Sequence, residues 1–350
     1  MPKFDSKTWN DKVFQKYLKK VEPTKKNSLV NSIIVNNTVN KMARALNEQV
    51  GGNYIVEPIK GDLTGKVQNY DGQTDFTYDS RDTFEQGKPI VGRMKGWSEL
   101  DFSSDITGGE DFMPMAEEVK RYFEGVDFDD LIAIIKGIFA MDDSANNKFV
   151  TKHTYSVEAL KETSINKAIT YAGGDARDKY KIAFMNSLTA LPLEDVHAME
   201  YLKYTDSQGI TRNLQSAQLN GIIIVIDDSI PENTVYIVGE KFIDVDKLPV
   251  DKADYMEYNR TDKGGREYYT HKERTLYSPK YISFTKKSVA SLSPTTEELA
   301  NGTNWEIVNN GKSGAQKVTI NDKLIPIARI VINPASRSSE QTESTSTQNK

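Results

Sequence analysis

Cysteine is absent from the 350 residues of this chain. Its absence excludes disulfides, thiolate nucleophiles and cysteine metal sites, and it is typical of a protein that matures in a reducing cytoplasm. Long hydrophobic runs are also missing, since the best one, Ile222 to Ile226, is far shorter than the roughly 20 residues needed to cross a bilayer. The first twenty residues contain lysines but no signal-peptide core. We therefore expect neither a membrane anchor nor secretion by the usual route.

The chain also lacks a basic excess, because its formal net charge is −5. A dedicated nucleic-acid binder would show the opposite balance. The charge is unevenly placed, however: residues 1–30 contain eight lysines against Asp5, Asp11 and Glu22, a local excess of five positive charges. The simpler explanation is a solvated helix face, and the alternative is contact with an acidic partner or with packaged nucleic acid.

The most regular pattern in the sequence runs through residues 110–141. Apolar residues recur three and four positions apart, as on one face of an α-helix, at Met115, Val119, Tyr122, Phe123, Val126, Leu131, Ile134, Ile135 and Ile138. Pro114 suits a first helical turn, and Glu110 and Asp111 complement the positive helix terminus. One continuous helix would extend roughly 45 Å. Gly125 leaves open a break before Phe128.

The segments before this helix lack residues for a core of their own. Residues 8–20 and 28–48 predict two amphipathic helices, which favours an arm that docks on something else. Alternating residues at 74–78 predict a strand, and a turn near 80–82 leads to a second extended run at 83–97. Because an isolated two-stranded ribbon is marginally stable, we expect it to pack on another surface, such as another subunit. The alternative is an ordinary surface hairpin.

After the helix, the pattern indicates a small α/β domain of about 100 residues. The expected elements are helices at 164–172 and 193–202 and strands at 181–186, 219–226 and 234–238, and the last two strands are expected to be neighbours. Residues 244–274 are polar and turn-rich, and a turn is expected at Lys263-Gly264-Gly265. Strand character returns at 275–284, 305–308 and 315–332. Residues 334–350 hold Ser, Thr, Gln and Asn without large apolar residues, which predicts a disordered tail.

No strong catalytic motif appears. His153, His197 and His271 are far apart, and His197 lacks the HExxH spacing of a zinc helix, so each is interpreted as structural or incidental. There is no GxGxxG, GxxxxGK[ST] or GxSxG pattern, and Gly173-Gly174 is interpreted as a helix stop. We therefore predict no catalytic, cofactor-binding or metal residues, and no enzyme activity.

Two acidic groups are the nearest approach to a chemical site. Asp227 and Asp228 follow a buried strand, where α/β enzymes place metal-binding carboxylates, but capping and turn formation explain them more simply. The second group is interpreted as the loop and N-terminal cap of the long helix. It consists of Asp101, Asp105, Glu110 and Asp111.

The order of parts is itself informative: arm, hairpin, long helix, α/β domain and a return to strands. The matching stretches are NYDGQTDF at 69–76, GRMKGWSELDFSSDITGGEDFM at 92–113, LIAIIKGIFAM at 131–141, LNGIIIVIDDSIP at 219–231 and YSPKYISFTKKSVASLSPT at 277–295. In these stretches the chain resembles the major capsid proteins of tailed bacteriophages and prophages of Gram-positive bacteria, which have the Hong Kong 97-type fold. The resemblance extends from the first helix to about Pro334.

This resemblance implies an α+β fold of the Hong Kong 97 type. Its parts would be an N-terminal arm at 1–53, an extended β-hairpin loop at 54–98, a peripheral domain at 99–154 and 241–333 with a spine helix at 110–141, an axial α/β domain at 155–240, and a tail at 334–350. Some relatives cross-link lysine to asparagine between subunits, and the candidate lysines here are Lys60, Lys66 and Lys88.

The implied function is mechanical. Copies would assemble into pentamers and hexamers and then into an icosahedral head around double-stranded DNA, held non-specifically. The implied partners are a separate scaffolding protein and a portal, with no cofactor and no membrane, and the location is the virion capsid, assembled in the cytoplasm of a bacterial host. The alternatives are an encapsulin-like nanocompartment of the same fold and a metal-dependent α/β enzyme that uses Asp227 and Asp228.

Overall fold

The computed structural model describes residues 35–36, 53–63, 65–73, 75–79, 81–102, 115–195, 200–205, 211–312 and 314–333. The helices in these ranges are α1 (Met115–Phe139), α2 (Phe149–Lys152), α3 (Glu162–Gly173), α4 (Ser187–Asp195) and α5 (Thr296–Ala300). The predicted helix at 8–20 and the tail at 334–350 lie outside the described residues. Of the helix predicted at 28–48, only residues 35 and 36 are described, and the prediction is wrong there because they form a strand. None of the described helices is long and apolar enough to span a membrane.

Strands make up most of the remaining regular structure. The first strands are β1 (Val35–Asn36), β2 (Tyr54–Lys60), β3 (Thr83–Leu100), β4 (Thr154–Val157), β5 (Tyr180–Met185), β6 (Glu200–Thr205), β7 (Thr211–Leu219) and β8 (Ile222–Ile226). The later strands are β9 (Thr234–Gly239), β10 (Ile243–Leu248), β11 (Asp254–Asn259), β12 (Arg266–Pro279), β13 (Ile282–Phe284), β14 (Trp305–Ile307) and β15 (Ile327–Ile332).

These strands form two large sheets and one small one. The seven-stranded sheet has the order β4-β15-β9-β5-β8-β7-β6, and the six-stranded sheet has the order β1-β10-β12-β3-β2, with β11 paired to β12. Strands β13 and β14 pair with each other. Most neighbours are antiparallel, and the parallel pairs are β1 with β10, β4 with β15 and β5 with β8.

The long helix α1 is confirmed as one continuous element over Met115–Phe139. It passes through Gly125 without a break, and Ala140 N donates to Gly137 O at 3.1 Å where the helix ends. The predicted start at residues 110–114 lies outside the described residues. Ile134 and Ile138 are fully buried, so the apolar face inferred from the spacing does enter the core.

One face of the seven-stranded sheet packs against α1. Ile182 and Phe184 of β5 belong to the same buried cluster as Ile134 of α1, and the ring centroids of Phe128 and Phe184 are 6.5 Å apart. Because side chains alternate along a strand, the intervening residues face the other way. The helix thus covers one side of β5.

The opposite face of this sheet packs against α3 and α4. Ala183 and Met185 of β5 cluster with Ile169 of α3 and Leu193 of α4. Gly174, at φ 56°, ends α3 in a conformation that favours glycine, as the Gly-Gly pair predicts. The short strand predicted at 181–186 is confirmed as β5, and it is buried on both faces.

The predicted hairpin exists, but its first strand was assigned to the wrong residues. Strand β2 pairs with β3 from Tyr54 opposite Pro89 to Lys60 opposite Thr83, and residues 75–78 of the predicted first strand belong to no strand. Beyond the hairpin, β3 continues and pairs with β12. The long strand is therefore a central member of the six-stranded sheet as well as half of a hairpin.

Three further predictions are corrected by the structure. The strand predicted at 219–226 is divided by a turn at Asn220-Gly221, whose φ values of 51° and 81° are typical of a tight hairpin turn. The helix predicted at 193–202 is wrong, because α4 ends at Asp195 and β6 begins at Glu200. Strand β9 pairs with β5 and β15, so it does not neighbour β8 as expected.

The polar stretch at 244–274 is also not a succession of turns. It contains nearly all of β10, the whole of β11 and most of β12. Every residue of β11 is exposed, so the alternation of apolar and polar residues that marks a half-buried strand is absent. The predicted turn at Lys263-Gly264-Gly265 does lie between β11 and β12.

Candidate assembly surface and the clamp on the long helix

The most unusual surface of the described chain is the segment between β2 and β3, residues 61–82, here called the exposed loop. It carries large apolar side chains whose exposed fractions lie between 75% and 99%. They are Leu63, Val67, Tyr70, Phe76 and Tyr78. Single exposed apolar residues are normal on soluble proteins, whereas such a concentration in one segment marks an interaction site.

Hydrogen bonds hold the two limbs of the exposed loop together. At its base Gly61 N donates to Asp82 O at 2.9 Å, and the Arg81 side chain donates to Gly61 O. Further out, Gln68 Nε2 donates to Thr77 Oγ1 at 2.7 Å, and Thr77 N donates to Gln68 Oε1 at 3.0 Å. The shape of the loop therefore comes from polar contacts, while its apolar side chains stay in solvent.

The exposed loop is also acidic. Its charged residues are Asp62, Asp71, Asp75, Asp79 and Asp82 against Lys66 and Arg81, a net charge of −3. The side chains of Asp62, Asp75 and Asp79 are exposed. An apolar and negatively charged surface of this kind fits a partner that is apolar and positively charged.

The three lysines singled out for cross-linking lie in different surroundings. Lys60 and Lys66 are exposed, at the end of β2 and in the exposed loop. Lys88 is 5% exposed and forms an ion pair with Glu57 across the hairpin. In the single chain, Lys60 and Lys66 are therefore the accessible amines of the three.

A buried ion pair holds α1 on the six-stranded sheet. Asp130 is 1% exposed, and Arg93 of β3 approaches it through two donors, Nε to Oδ2 at 3.0 Å and Nη2 to Oδ1 at 2.8 Å. Thr296 Oγ1 donates to Asp130 Oδ1 at 2.8 Å, which ties α5 to the same carboxylate. Burial raises the pKa of Asp130, and the hydrogen bonds and charge of Arg93 oppose that rise.

A second polar contact lies three residues earlier on α1. Lys247 Nζ of β10 lies 2.9 Å from Asp127 Oδ2 and 2.8 Å from Glu273 Oε2 of β12. Burial alone would lower the pKa of Lys247, but the two carboxylates raise it; burial raises the pKa of Glu273. Tyr277, which is fully buried, donates its hydroxyl to Asp127 Oδ1 at 3.2 Å. The helix thus lies between the two large sheets, and ion pairs from Arg93 and Lys247 hold it on the six-stranded one.

The described histidines take part in local packing. His153 is buried, its Nδ1 lies 2.6 Å from Ile327 O, and burial lowers its pKa. His271 Nδ1 lies 2.7 Å from Asp254 Oδ1, and its ring lies 4.3 Å from that of Phe123. The structure does not bring these histidines together, and His197 lies outside the described residues.

The carboxylates predicted at the end of β8 are engaged by nearby groups. Asp227 Oδ1 accepts from Ser229 N at 2.9 Å, and Asp228 Oδ1 accepts from Ser187 N at 3.1 Å at the start of α4. Hydrogen bonding to Ser187 lowers the pKa of Asp228. Within the described ranges, no group of three or more His, Asp or Glu side chains could hold a metal ion.

Of the second acidic group, only Asp101 is described. Its Oδ2 accepts from Tyr258 OH at 2.7 Å, so it links the end of β3 to the edge strand β11. Asp105, Glu110 and Asp111 lie outside the described residues.

Two features of this region were not predicted from the sequence. The apolar residues of the exposed loop were interpreted in part as one face of a strand, although the glycines and aspartates around them indicate irregular structure. The pairing of Arg93 with Asp130 leaves no local signal, because the two residues are 37 positions apart and meet only through the tertiary fold.

No family model matches the chain. The chain is 23% identical over 279 residues to the major capsid protein of Bacillus phage SPP1, and the match covers 75% of this chain and 81% of that protein. Among solved structures it is similar to the capsid asymmetric unit of cyanophage Pam1, with a TM-score of 0.54, 13% identity and coverage of 95% of this chain and 99% of that chain.

The capsid of Ralstonia phage GP4 is also similar, with a TM-score of 0.50, 8% identity and coverage of 78% of this chain and 90% of that chain. The mixed helix-and-strand fold described above thus resembles phage capsid structures. Together with the sequence match, this confirms the resemblance to the major capsid proteins of tailed phages.

Proposed function

We propose that this chain is the major capsid protein of a tailed phage or prophage, and that many copies of it form the head shell around double-stranded DNA. The observation that carries the proposal is the agreement of two similarities. One is the sequence match to the SPP1 major capsid protein over 279 residues, and the other is a shared fold over 95% of this chain. Because a fold alone does not determine a function, the sequence match is needed as well.

The finer layout that we propose is that of the Hong Kong 97 type. Residues 1–53 would be the arm, 54–98 the extended loop, 99–154 with 241–333 the peripheral domain and 155–240 the axial domain, leaving 334–350 as a tail. The long helix α1 and the exposed loop support this layout, because both occur where the resemblance implies a spine helix and an extended hairpin.

The exposed loop supports a role in assembly on physical grounds. Its apolar side chains are uncovered in the single chain, and burying them against another subunit would contribute about 25 cal/mol per Å² of apolar surface. Identical contacts repeated around rotational axes close pentamers and hexamers. Since the shell is stabilised by the sum of many such contacts, its formation depends on subunit concentration.

The proposed partners are other copies of this chain, a scaffolding protein, a portal and packaged DNA bound without sequence preference. The proposed place of assembly is the cytoplasm of the bacterial host, and the final location is the virion. Enzymatic activity is not part of the proposal. The engaged carboxylates of Asp227 and Asp228 are better explained by turn formation and by capping of α4.

The test is to express the full chain, alone and with a candidate scaffolding protein, and to examine the product by negative-stain microscopy and light scattering. We expect closed particles of uniform diameter built from pentamers and hexamers. A protein that stays a small, monodisperse species under every condition tried would refute the proposal. In particles isolated from the natural host, double-stranded DNA is the expected content, whereas a protein cargo would indicate an encapsulin-like compartment.

A further inference from the structure

The sequence contains three Asn-Gly pairs, and such a pair is prone to a spontaneous reaction of the main chain. They are Asn220-Gly221, Asn301-Gly302 and Asn310-Gly311. Because glycine has no Cβ, its backbone nitrogen can approach the side chain of the preceding asparagine with little steric hindrance. The reaction is intramolecular, so its rate depends on how readily the side-chain carbon and that nitrogen reach the correct geometry. The fold gives the three pairs different surroundings.

The pair Asn220-Gly221 forms the turn between β7 and β8. Both residues are exposed, and a Cβ built on Gly221 would meet no atom within 4 Å. Within the described part of the chain, the side-chain amide of Asn220 takes part in no hydrogen bond. The remaining restraint is the turn itself, which must open before the nitrogen reaches the side chain. Exposed turns open locally at a low cost in free energy, so this pair has both the space and the freedom to react.

The side chain of Asn310, in contrast, is held by its surroundings. Its Oδ1 accepts from Val318 N at 3.1 Å and from Lys312 N at 3.3 Å, and its Nδ2 donates to Gln316 O at 3.0 Å. These contacts have to break before the amide carbon can turn towards the nitrogen of Gly311. This pair therefore has an exposed glycine but lacks a free side chain.

The pair Asn301-Gly302 is restrained at both residues. Asn301 Oδ1 accepts from Thr303 N at 3.0 Å and from Thr303 Oγ1 at 2.8 Å, which fixes the side chain over the next residues. Gly302 is buried, and a Cβ built on it would lie 1.8 Å from Ala140 O, directly after α1. The main chain there has no room to rearrange.

We propose that Asn220 is a site of spontaneous deamidation, for which water is the only co-reactant. In the first step Gly221 N attacks Asn220 Cγ, the bond from Cγ to the side-chain nitrogen breaks, and ammonia leaves with the proton of the Gly221 amide. In the second step water opens the five-membered ring at one of its two carbonyl carbons. One product is aspartate, and the other is isoaspartate, in which the main chain runs through the former side chain. Both add a negative charge, and neither depends on the proposed function.

The isoaspartate product disturbs the hairpin that this turn closes. Leu219 pairs with Ile222 directly beside the turn, and both side chains are buried. The added main-chain carbon makes the loop too long for the two-residue turn that matches the twist of the strands. Because a shift in register would turn buried side chains away from the core, we expect modified copies to be less stable.

The test follows all three pairs in one sample. The full chain is incubated at mildly alkaline pH, which favours loss of the amide proton, then digested and analysed by mass spectrometry with fragmentation that assigns each site. We expect deamidation at Asn220 to be at least about tenfold faster than at Asn301 or Asn310. In the chain unfolded in guanidinium chloride, the three rates should become similar, because each asparagine is followed by glycine.

The matched variant is Asn220→Gly. It removes the reacting amide and places at this position a residue that adopts the φ of 51° without strain. After the same incubation, the native chain should contain a population that unfolds at a lower urea concentration, and the variant should not. Circular dichroism before incubation checks that the variant has the native fold.

Two results would overturn the proposal. If Asn220 in the folded chain reacts no faster than Asn301 or Asn310, while all three react in the unfolded chain, the turn protects the pair. If incubated Asn220→Gly loses as much stability as the native chain, the damage arises elsewhere. Deamidation at Asn220 with unchanged urea unfolding would support the site but refute its effect on the hairpin.

Discussion

Replacing Gly137 by alanine places a methyl group where the long helix packs against α5 and the start of β14. A Cβ at this position would lie 2.2 Å from Leu299 O and 2.5 Å from Trp305 Nε1. These two atoms form a buried hydrogen bond of 2.7 Å, from the indole to the carbonyl. The methyl group would therefore occupy the space of that bond, and the backbone of α5 would have to move.

The expected magnitude follows from three contributions. In the interior of a helix, alanine is more favourable than glycine by about 1 kcal/mol. Overpacking a closely packed core costs about 1–3 kcal/mol, and leaving a buried donor and acceptor apart costs about 1–3 kcal/mol more. The net expectation is a loss of about 3 kcal/mol in the free energy of unfolding. The sign is thus opposite to that expected from helix propensity alone.

Urea unfolding of dissociated subunits, followed by circular dichroism and by tryptophan fluorescence, measures this loss. Gly92→Ala is the matched control, because a Cβ there would lie 3.6 Å from Ser293 Oγ, an ordinary contact. The control should change the free energy of unfolding by less than about 1 kcal/mol. If Gly137→Ala proved as stable as the native chain, the close approach of α1 to Leu299 would be wrong.

Other predictions concern the ion pair of Arg93 with Asp130 on the long helix, the loop before α5 and the exposed loop. Asp130→Ala should cost about 3–5 kcal/mol in urea unfolding, because it leaves the guanidinium of Arg93 without its counter-charge; a cost below about 1 kcal/mol would contradict this. Hydrogen bonds, first that of Ser291, lower the pKa of Glu298 to about 2. Its carboxylate therefore stabilises the fold fully above its ordinary pKa of 4.5, and this stabilisation is lost as the pH falls towards 2. The difference in unfolding free energy between the native chain and Glu298→Gln should shrink over that interval, and a constant difference would exclude the mechanism. Phe76→Ser should alter subunit stability by no more than about 0.5 kcal/mol yet reduce the yield of particles, and unchanged assembly would argue against a role for the loop.

Helix α1 was predictable because its determinants are local. Its apolar residues repeat at 3.6-residue spacing over about seven turns of helix. This spacing places them on one buried face, whichever elements pack against that face. Its burial of Asp130 was not predictable, since a buried carboxylate is stable only beside its partner, and Arg93 lies on a distant strand.

In the six-stranded sheet, β10, β11 and the first part of β12 were not predicted, for a related reason. Residues 254–259 are exposed on both faces, so no alternation marks β11, and only its pairing with β12 keeps it extended. The turn at Asn220-Gly221 did have a local signal, because Asn-Gly favours the positive φ values that both residues adopt. For the exposed loop, the alternation at 74–78 favours a strand, whereas Phe76 and Tyr78 lie exposed in a segment held by polar contacts.

The hydrogen bonds across the exposed loop have a practical consequence. They join Gly61 to Asp82 at the base and Gln68 to Thr77 further out, and each limb continues covalently into β2 or β3. A backbone cut between residues 68 and 77 would therefore leave both halves attached to the sheet. A protease added to free subunits should nick this tip first and release no domain, whereas inside a closed shell the same peptide bonds would be shielded. The fraction of copies that stays uncut at this tip would then measure how much of a preparation has been incorporated into shells.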